Sequence, residues 1–125
     1  MGDRELLEQG SASVEFFLVI PMVLLILVAG IEVVSIARAR IELVGAVREG
    51  ARVAATTPDP AKAVNAVVAA LSPAMRNRVR ISVSRPSVVG RPARVTATLR
   101  HLLGAPLVRD LGVDLSASAT MLVER

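Results

Sequence analysis

Cysteine, tryptophan and tyrosine are absent from this chain of 125 residues, His101 is its one imidazole, and Phe16 and Phe17 are its two aromatic rings. Without cysteine there is neither a disulfide framework nor a thiolate metal site. With a single histidine, no carboxylate pair at a useful spacing and no glycine-rich phosphate loop, no constellation for nucleophilic, acid–base or metal-assisted chemistry can be assembled. The chain is therefore read as a non-enzyme, with no catalytic residue, no cofactor, no metal and no small-molecule substrate. Lysine is nearly absent too: the 15 basic residues are Arg except for Lys62, and the net charge is +4. These arginines alternate with acids or sit in turns and form no basic reading face, so no nucleic-acid partner is expected.

What the chain has in quantity is aliphatic sequence. No residue from Phe16 to Ile31 is charged, and after Glu32 the apolar register resumes through Val33, Val34, Ile36 and Ala37 until Arg38 and Arg40 stop it. A bilayer core about 30 Å thick needs ~20 helical residues, and the stretch from Phe16 to Ala37 reaches that length. The sequence thus predicts a single membrane span. The length that remains is enough for one small soluble domain and no more.

Glu15 stands at the head of the apolar run, where an acid costs about 2.5 to 3.5 kcal/mol at the bilayer centre and less near the interface. It has two readings: a carboxylate that snorkels to the headgroups, or one that meets a partner charge. In front of it lies a short polar leader, Met1 to Gln9, and then Gly10. A secretory signal peptide has a basic start and a cut site behind a short apolar core, whereas here the candidate cut site precedes a long one. The apolar helix is therefore expected to stay in the mature protein. Met1-Gly2 is not a myristoylation signal, because the sixth residue is Leu6 rather than Ser or Thr.

Gly10, with Glu15 five residues on and Phe16 directly after it, resembles the type IV pilin class, in which a prepilin peptidase cuts after such a glycine. Two further stretches sharpen the likeness: Arg48-Glu49-Gly50-Ala51-Arg52-Val53-Ala54-Ala55 behind the apolar segment, and Ser118-Ala119-Thr120-Met121-Leu122-Val123-Glu124 near the end. Together they look like the TadE-like family, the minor pseudopilins of the Tad (Flp) tight-adherence pilus. The specific part of the resemblance covers Gly10 to Ala55. It implies cleavage between Gly10 and Ser11, an assembly role for Glu15 and Phe16, and the membrane, a prepilin peptidase, other pilin-like subunits and the Tad assembly machinery as partners. It also implies a place in pilus assembly, with adhesion, DNA uptake and secretion all open as the use of the pilus. The alternative from another class is an uncleaved single-span scaffold or binding subunit of a secretion complex.

Orientation sets two rules against each other. Arg38, Arg40, Arg48 and Arg52 behind the span outweigh Arg4 in front of it and favour a cytoplasmic C-terminus. The resemblance implies the reverse, a single-pass protein of the cell membrane with its C-terminal domain extracytoplasmic, and Glu42 and Glu49 balance the arginines locally. The second placement is the expectation adopted.

The expected fold is α+β and pilin-like: a leader over 1–10, a transmembrane helix over 11–37, and a soluble domain over 38–125. One helix should run from about Ala12 to Ala55, with Ala37, Ile41, Val44, Val47, Ala51 and Ala54 as its buried stripe and the pairs Arg38–Glu42 and Glu49–Arg52 on the other side. Pro21 inside it reads as a tolerated membrane proline or as a point of local melting during assembly. Thr56 to Pro60 should break this helix. Asp59 as N-cap and Pro60 as first residue then predict a second one over 60–71, with Val64, Val67, Val68 and Leu71 inward and at most one more turn through Arg76. Period-two alternation predicts three antiparallel strands near 79–84, 93–99 and 113–123, with a turn from Arg85 to Pro92 and a looser connection opening at Gly104–Pro106. His101 reads as a strand-end surface residue, and Ser116, Ser118 and Thr120 as a solvent face. Arg76, Arg78 and Arg80 read either as solvated side chains or as a docking patch.

Overall fold

The computed structural model describes residues 2–105 and 110–124, so Pro106 of the expected loose connection lies outside the described residues. The chain divides into two compact units between Val34 and Ser35. The helix α1 runs from Gly2 to Thr56 and contributes to both. It starts ten residues before the expected Ala12. Leader residues such as Glu5 and Glu8 are good helix formers, and acids near a helix N-terminus are favoured by its dipole. Gly10 weakens a helix by about 1 kcal/mol relative to Ala but does not end it.

In the first unit the apolar side chains of α1 are exposed on all sides, from Val14 through Phe16, Leu18 and Leu25 to Ile31. A helix apolar all round has no polar face to turn to water. By length and composition α1 is the one helix among the described residues able to cross a membrane.

The second unit consists of the end of α1, the helices α2 (Pro60–Ala70) and α3 (Pro73–Arg76), and the strands β1 (Val79–Ser84), β2 (Pro92–Leu102) and β3 (Gly112–Leu122). Asp59 caps α2 as expected: its Oδ1 accepts from the Ala61 amide at 2.9 Å, and Pro60 follows at a position whose missing N–H costs nothing. Leu71 is the C-cap of α2 rather than its last helical residue, and Ser72-Pro73 starts the extra turn α3. The strands form an antiparallel meander in the order β1-β2-β3. Ile81 pairs with Ala97, and Ala97 in turn with Ala117. The β2–β3 ladder extends from Pro92–Leu122 to Leu102–Gly112, so β2 runs three residues beyond the expected Leu99. Gly90, in the connection between β1 and β2, has φ 81°, which a Cβ disfavours.

One face of the sheet is covered by helices. Val95, Ala97 and Leu99 of β2 are buried together with Leu115 and Ala117 of β3, Val67 of α2, and Leu43 and Val47 of α1. Val79, Ile81 and Val83 are half-buried against the same cluster. Val113 and Met121 stand 38% exposed near the ends of β3, an edge strand with a neighbour on one side only.

The buried seam of α1 keeps Val47, Ala51 and Ala54 of the expected stripe, with Val44 half-buried against the core, and departs from it at Ala37 and Ile41. It consists of Ala39, Leu43, Ala46, Val47, Ala51, Ala54 and Ala55, while Ala37 is exposed and Ile41 is 72% exposed. Gly50 lies on the same seam. A Cβ there would collide with Val67 Cγ2 and lie 3.3 Å from both the Ala63 carbonyl oxygen and Val95 Cγ1, so α1 approaches α2 and β2 along the line of its glycine.

Candidate functional site

The residues singled out at the start of the apolar run lie on α1 within the first unit. Gly10, Ser11, Glu15 and Phe16 are all exposed, Phe16 at 65%. Nothing lies within 4 Å of the place a Gly10 Cβ would occupy, so the residue is not held to glycine by packing. Ser11 and Glu15 are four residues apart on a helix and share one face. The helix continues through the Gly10–Ser11 bond and through Pro21, which lies well inside it. Phe17, the next residue, is 75% exposed as well.

At the start of the second unit, Ser35 Oγ lies 3.3 Å from His101 Nε2. His101 is thus at a strand end, as expected, but half-buried and hydrogen-bonded to α1 rather than simply turned to solvent. The bond fixes the end of β2 against the first residue after Val34.

The stretch from Arg48 to Ala55 divides between two tasks. Gly50, Ala51, Ala54 and Ala55 are buried and let α1 approach its neighbours closely. Glu49 and Arg52 face outward as a two-pronged pair, with Arg52 Nη2 2.5 Å from Glu49 Oε1 and Nε 3.0 Å from Oε2. The hydrogen bonds from Arg52 hold the Glu49 carboxyl below its ordinary range and raise the guanidinium. Glu42 does something other than the expected pairing with Arg38: its Oε1 accepts a hydrogen bond from the Ser72 amide and ties α1 to the α2–α3 junction.

The end of α1 is closed by partners distant in sequence. In a helix the Ala54 carbonyl would accept from the residue four positions on, but that residue is Pro58, which has no N–H. Arg85 Nε supplies the donor instead, at 2.7 Å. The Ala55 carbonyl accepts from the Glu124 amide at 2.9 Å. Neither partner had a signal in the sequence, because an Arg in a turn and an amide after a strand are both commonplace.

The outer face of the sheet carries Ser116, Ser118 and Thr120, exposed as expected. Arg76 and Arg78, also exposed, reach back to helix carbonyls, Arg76 Nε to Leu71 O at 2.8 Å and Arg78 to Ala74 O at 3.1 and 3.2 Å. An open groove of about 600 Å³ is lined by Asn77, Arg78, Arg80, Thr98, Arg100 and Asp114, with Val79 and Leu102 at its apolar edge.

An exposed apolar helix headed by Gly10 and Glu15, continuing into a closely packed Gly50-Ala51 seam, is the whole of the distinctive geometry. Residues 10–52 match the family model described as TadE-like protein. This segment is TadE-like. The match opens at Gly10, takes in Glu15, the apolar stretch, Gly50 and the outward pair, and closes at Arg52. The sheet and α2 lie beyond it. No curated protein and no solved structure matches the chain.

Proposed function

We propose that the chain is a pilin-like minor subunit of a Tad pilus, inserted in the cell membrane through α1 and taking part in assembly by helix association, without catalysing a reaction. The observation that carries this reading is the TadE-like match, which begins at Gly10 and joins Glu15, the span and the Gly50 seam in one segment. In this reading a prepilin peptidase removes the leader between Gly10 and Ser11. Glu15 of one subunit then neutralises the new amine of another, since two unpaired charges in lipid each cost several kcal/mol. Phe16 packs beside that pair. The C-terminal domain is extracytoplasmic, and its partners are other pilin-like subunits and the Tad assembly machinery.

Intact-mass analysis of the chain co-expressed with its own prepilin peptidase tests the reading. The expected product starts at Ser11, and Gly10→Leu abolishes it. The competing reading, an uncleaved scaffold of a secretion complex, draws on the continuous helix through Gly10 and Ser11, because a protease acts on extended backbone. Recovery of full-length chain alone in the presence of active peptidase would favour that scaffold.

A further inference from the structure

The second unit has a concentration of exposed apolar side chains at one end of its sheet. Leu102 is 46% exposed, Leu111 57% and Val113 38%. They stand around the β2–β3 connection, where Leu102 pairs with Gly112, His101 with Val113, and the Leu103 amide donates to Leu111 O at 3.1 Å. Beside them on the outer face lie Arg78, Arg80 and Arg100, which line the open groove and outnumber its one acid, Asp114.

The position of this end is set by a bond within the unit. His101 is held at Ser35, which lies two residues before Ala37 at the close of the apolar stretch. The opposite end of the sheet, with Val88 and Val89, is associated with the far end of α1 through Arg85 and Ala54. From Ser35 to Ala54 a helix rises about 28 Å at 1.5 Å per residue. One end of the sheet is thus tethered at the point where the chain leaves the apolar stretch, and the other is about three nanometres further along the helix.

We propose that the end of the sheet bearing Leu102, Leu111 and Val113, flanked by Arg78, Arg80 and Arg100, rests in the headgroup layer of an anionic bilayer and gives the chain a second membrane contact besides α1. This rests on the reading of α1 as a membrane span. Apolar side chains beside guanidinium groups are the combination that binds a lipid interface, the first by burial and the second by attraction to anionic headgroups. Tethering at Ser35 keeps the patch beside the surface at high effective concentration, so a small patch suffices. The contact would hold the second unit down on the bilayer before assembly and be given up when the subunit leaves it.

Because the chain has no cysteine, single spin labels can be placed on the full-length protein at Leu102→Cys, Val89→Cys and, within the apolar stretch, Leu25→Cys. Each variant is reconstituted in vesicles of phosphatidylcholine with phosphatidylglycerol and in phosphatidylcholine alone, and collision with oxygen is compared with collision with a water-soluble nickel chelate. In the anionic vesicles the oxygen-to-nickel ratio at position 102 should exceed that at position 89 several-fold. It should fall in phosphatidylcholine alone or when Arg78, Arg80 and Arg100 are all changed to Gln. A ratio at 102 equal to that at 89, with the label at 25 in lipid, overturns the second contact and leaves the span standing; an aqueous label at 25 overturns the span itself. Dipolar broadening between labels at 102 that disappears on dilution with unlabelled chain would show a second copy covering the patch, and would equally overturn the proposal.

Discussion

Arg85 Nε donates to the carbonyl oxygen of Ala54 at 2.7 Å, across 31 residues of sequence, and takes the place of the N–H that Pro58 lacks. Ala54 is buried, so without this donor its carbonyl is left in a poor environment for an unpaired acceptor. Replacement of Arg85 by Met keeps most of the apolar stem and removes the donor. A loss of about 1 to 3 kcal/mol is expected. Thermal unfolding of the detergent-solubilised chain, followed by the sheet signal, measures it, and an unchanged midpoint would show that solvent serves the carbonyl equally well.

The two glycines of α1 in the second unit should answer the same substitution with opposite signs. At Gly45 nothing lies within 4 Å of an added Cβ, so Gly45→Ala gains helix propensity, about 1 kcal/mol. At Gly50 the Cβ collides with Val67 and presses on Ala63 and Val95 in a filled core, and overpacking of this kind costs about 1 to 3 kcal/mol. Gly45→Ala is expected to raise the unfolding midpoint and Gly50→Ala to lower it, with Gly50→Leu lowering it further. Two shifts of the same sign would contradict the close approach of α1 to α2.

Glu15 is expected to be needed for pilus assembly and dispensable for insertion. Glu15→Val removes a charge from the head of the apolar stretch, so membrane integration, read by alkaline extraction, should be as good or better. Pilus production in the same cells should be lost. Normal insertion together with full pilus biogenesis would remove the case for pairing with a neighbouring amine.

The Glu49–Arg52 pair gives a dependence on pH with a definite sign. Hydrogen bonds from Arg52 place the Glu49 carboxyl below its ordinary value in the folded chain. The folded state therefore binds this proton less readily than the unfolded one, and the pair's contribution is present above the unfolded carboxylate range and lost as pH falls through the folded value. Both side chains are exposed, and exposed pairs contribute little. Carboxyl NMR of the detergent-solubilised chain should give Glu49 a midpoint below that of exposed glutamates, and Arg52→Gln should return it to their value.

Much of this protein was decided locally. The apolar stretch behind Gly10 and Glu15, the N-cap at Asp59 and the period-two strands follow from residue order, because membrane length, capping and pleat alternation are short-range rules. The start of α1 at Gly2 rather than near Ala12 is local too, because the leader is rich in helix formers and Gly10 weakens a helix without ending it. The buried face of α1 was local from Val44 to Ala54 and not before it. Between Ala37 and Leu43 the small and aliphatic residues occupy more than one face, so spacing alone supports either a line through Ala37 and Ile41 or one through Ala39 and Leu43. Tertiary structure chose the second, since Ala39 and Leu43 join Val67 and Val95 in the core cluster that also closes on Gly50. The same holds for Glu42 with Ser72, Ser35 with His101 and Arg85 with Ala54: partners 30, 66 and 31 residues apart meet only once the helices and sheet have packed.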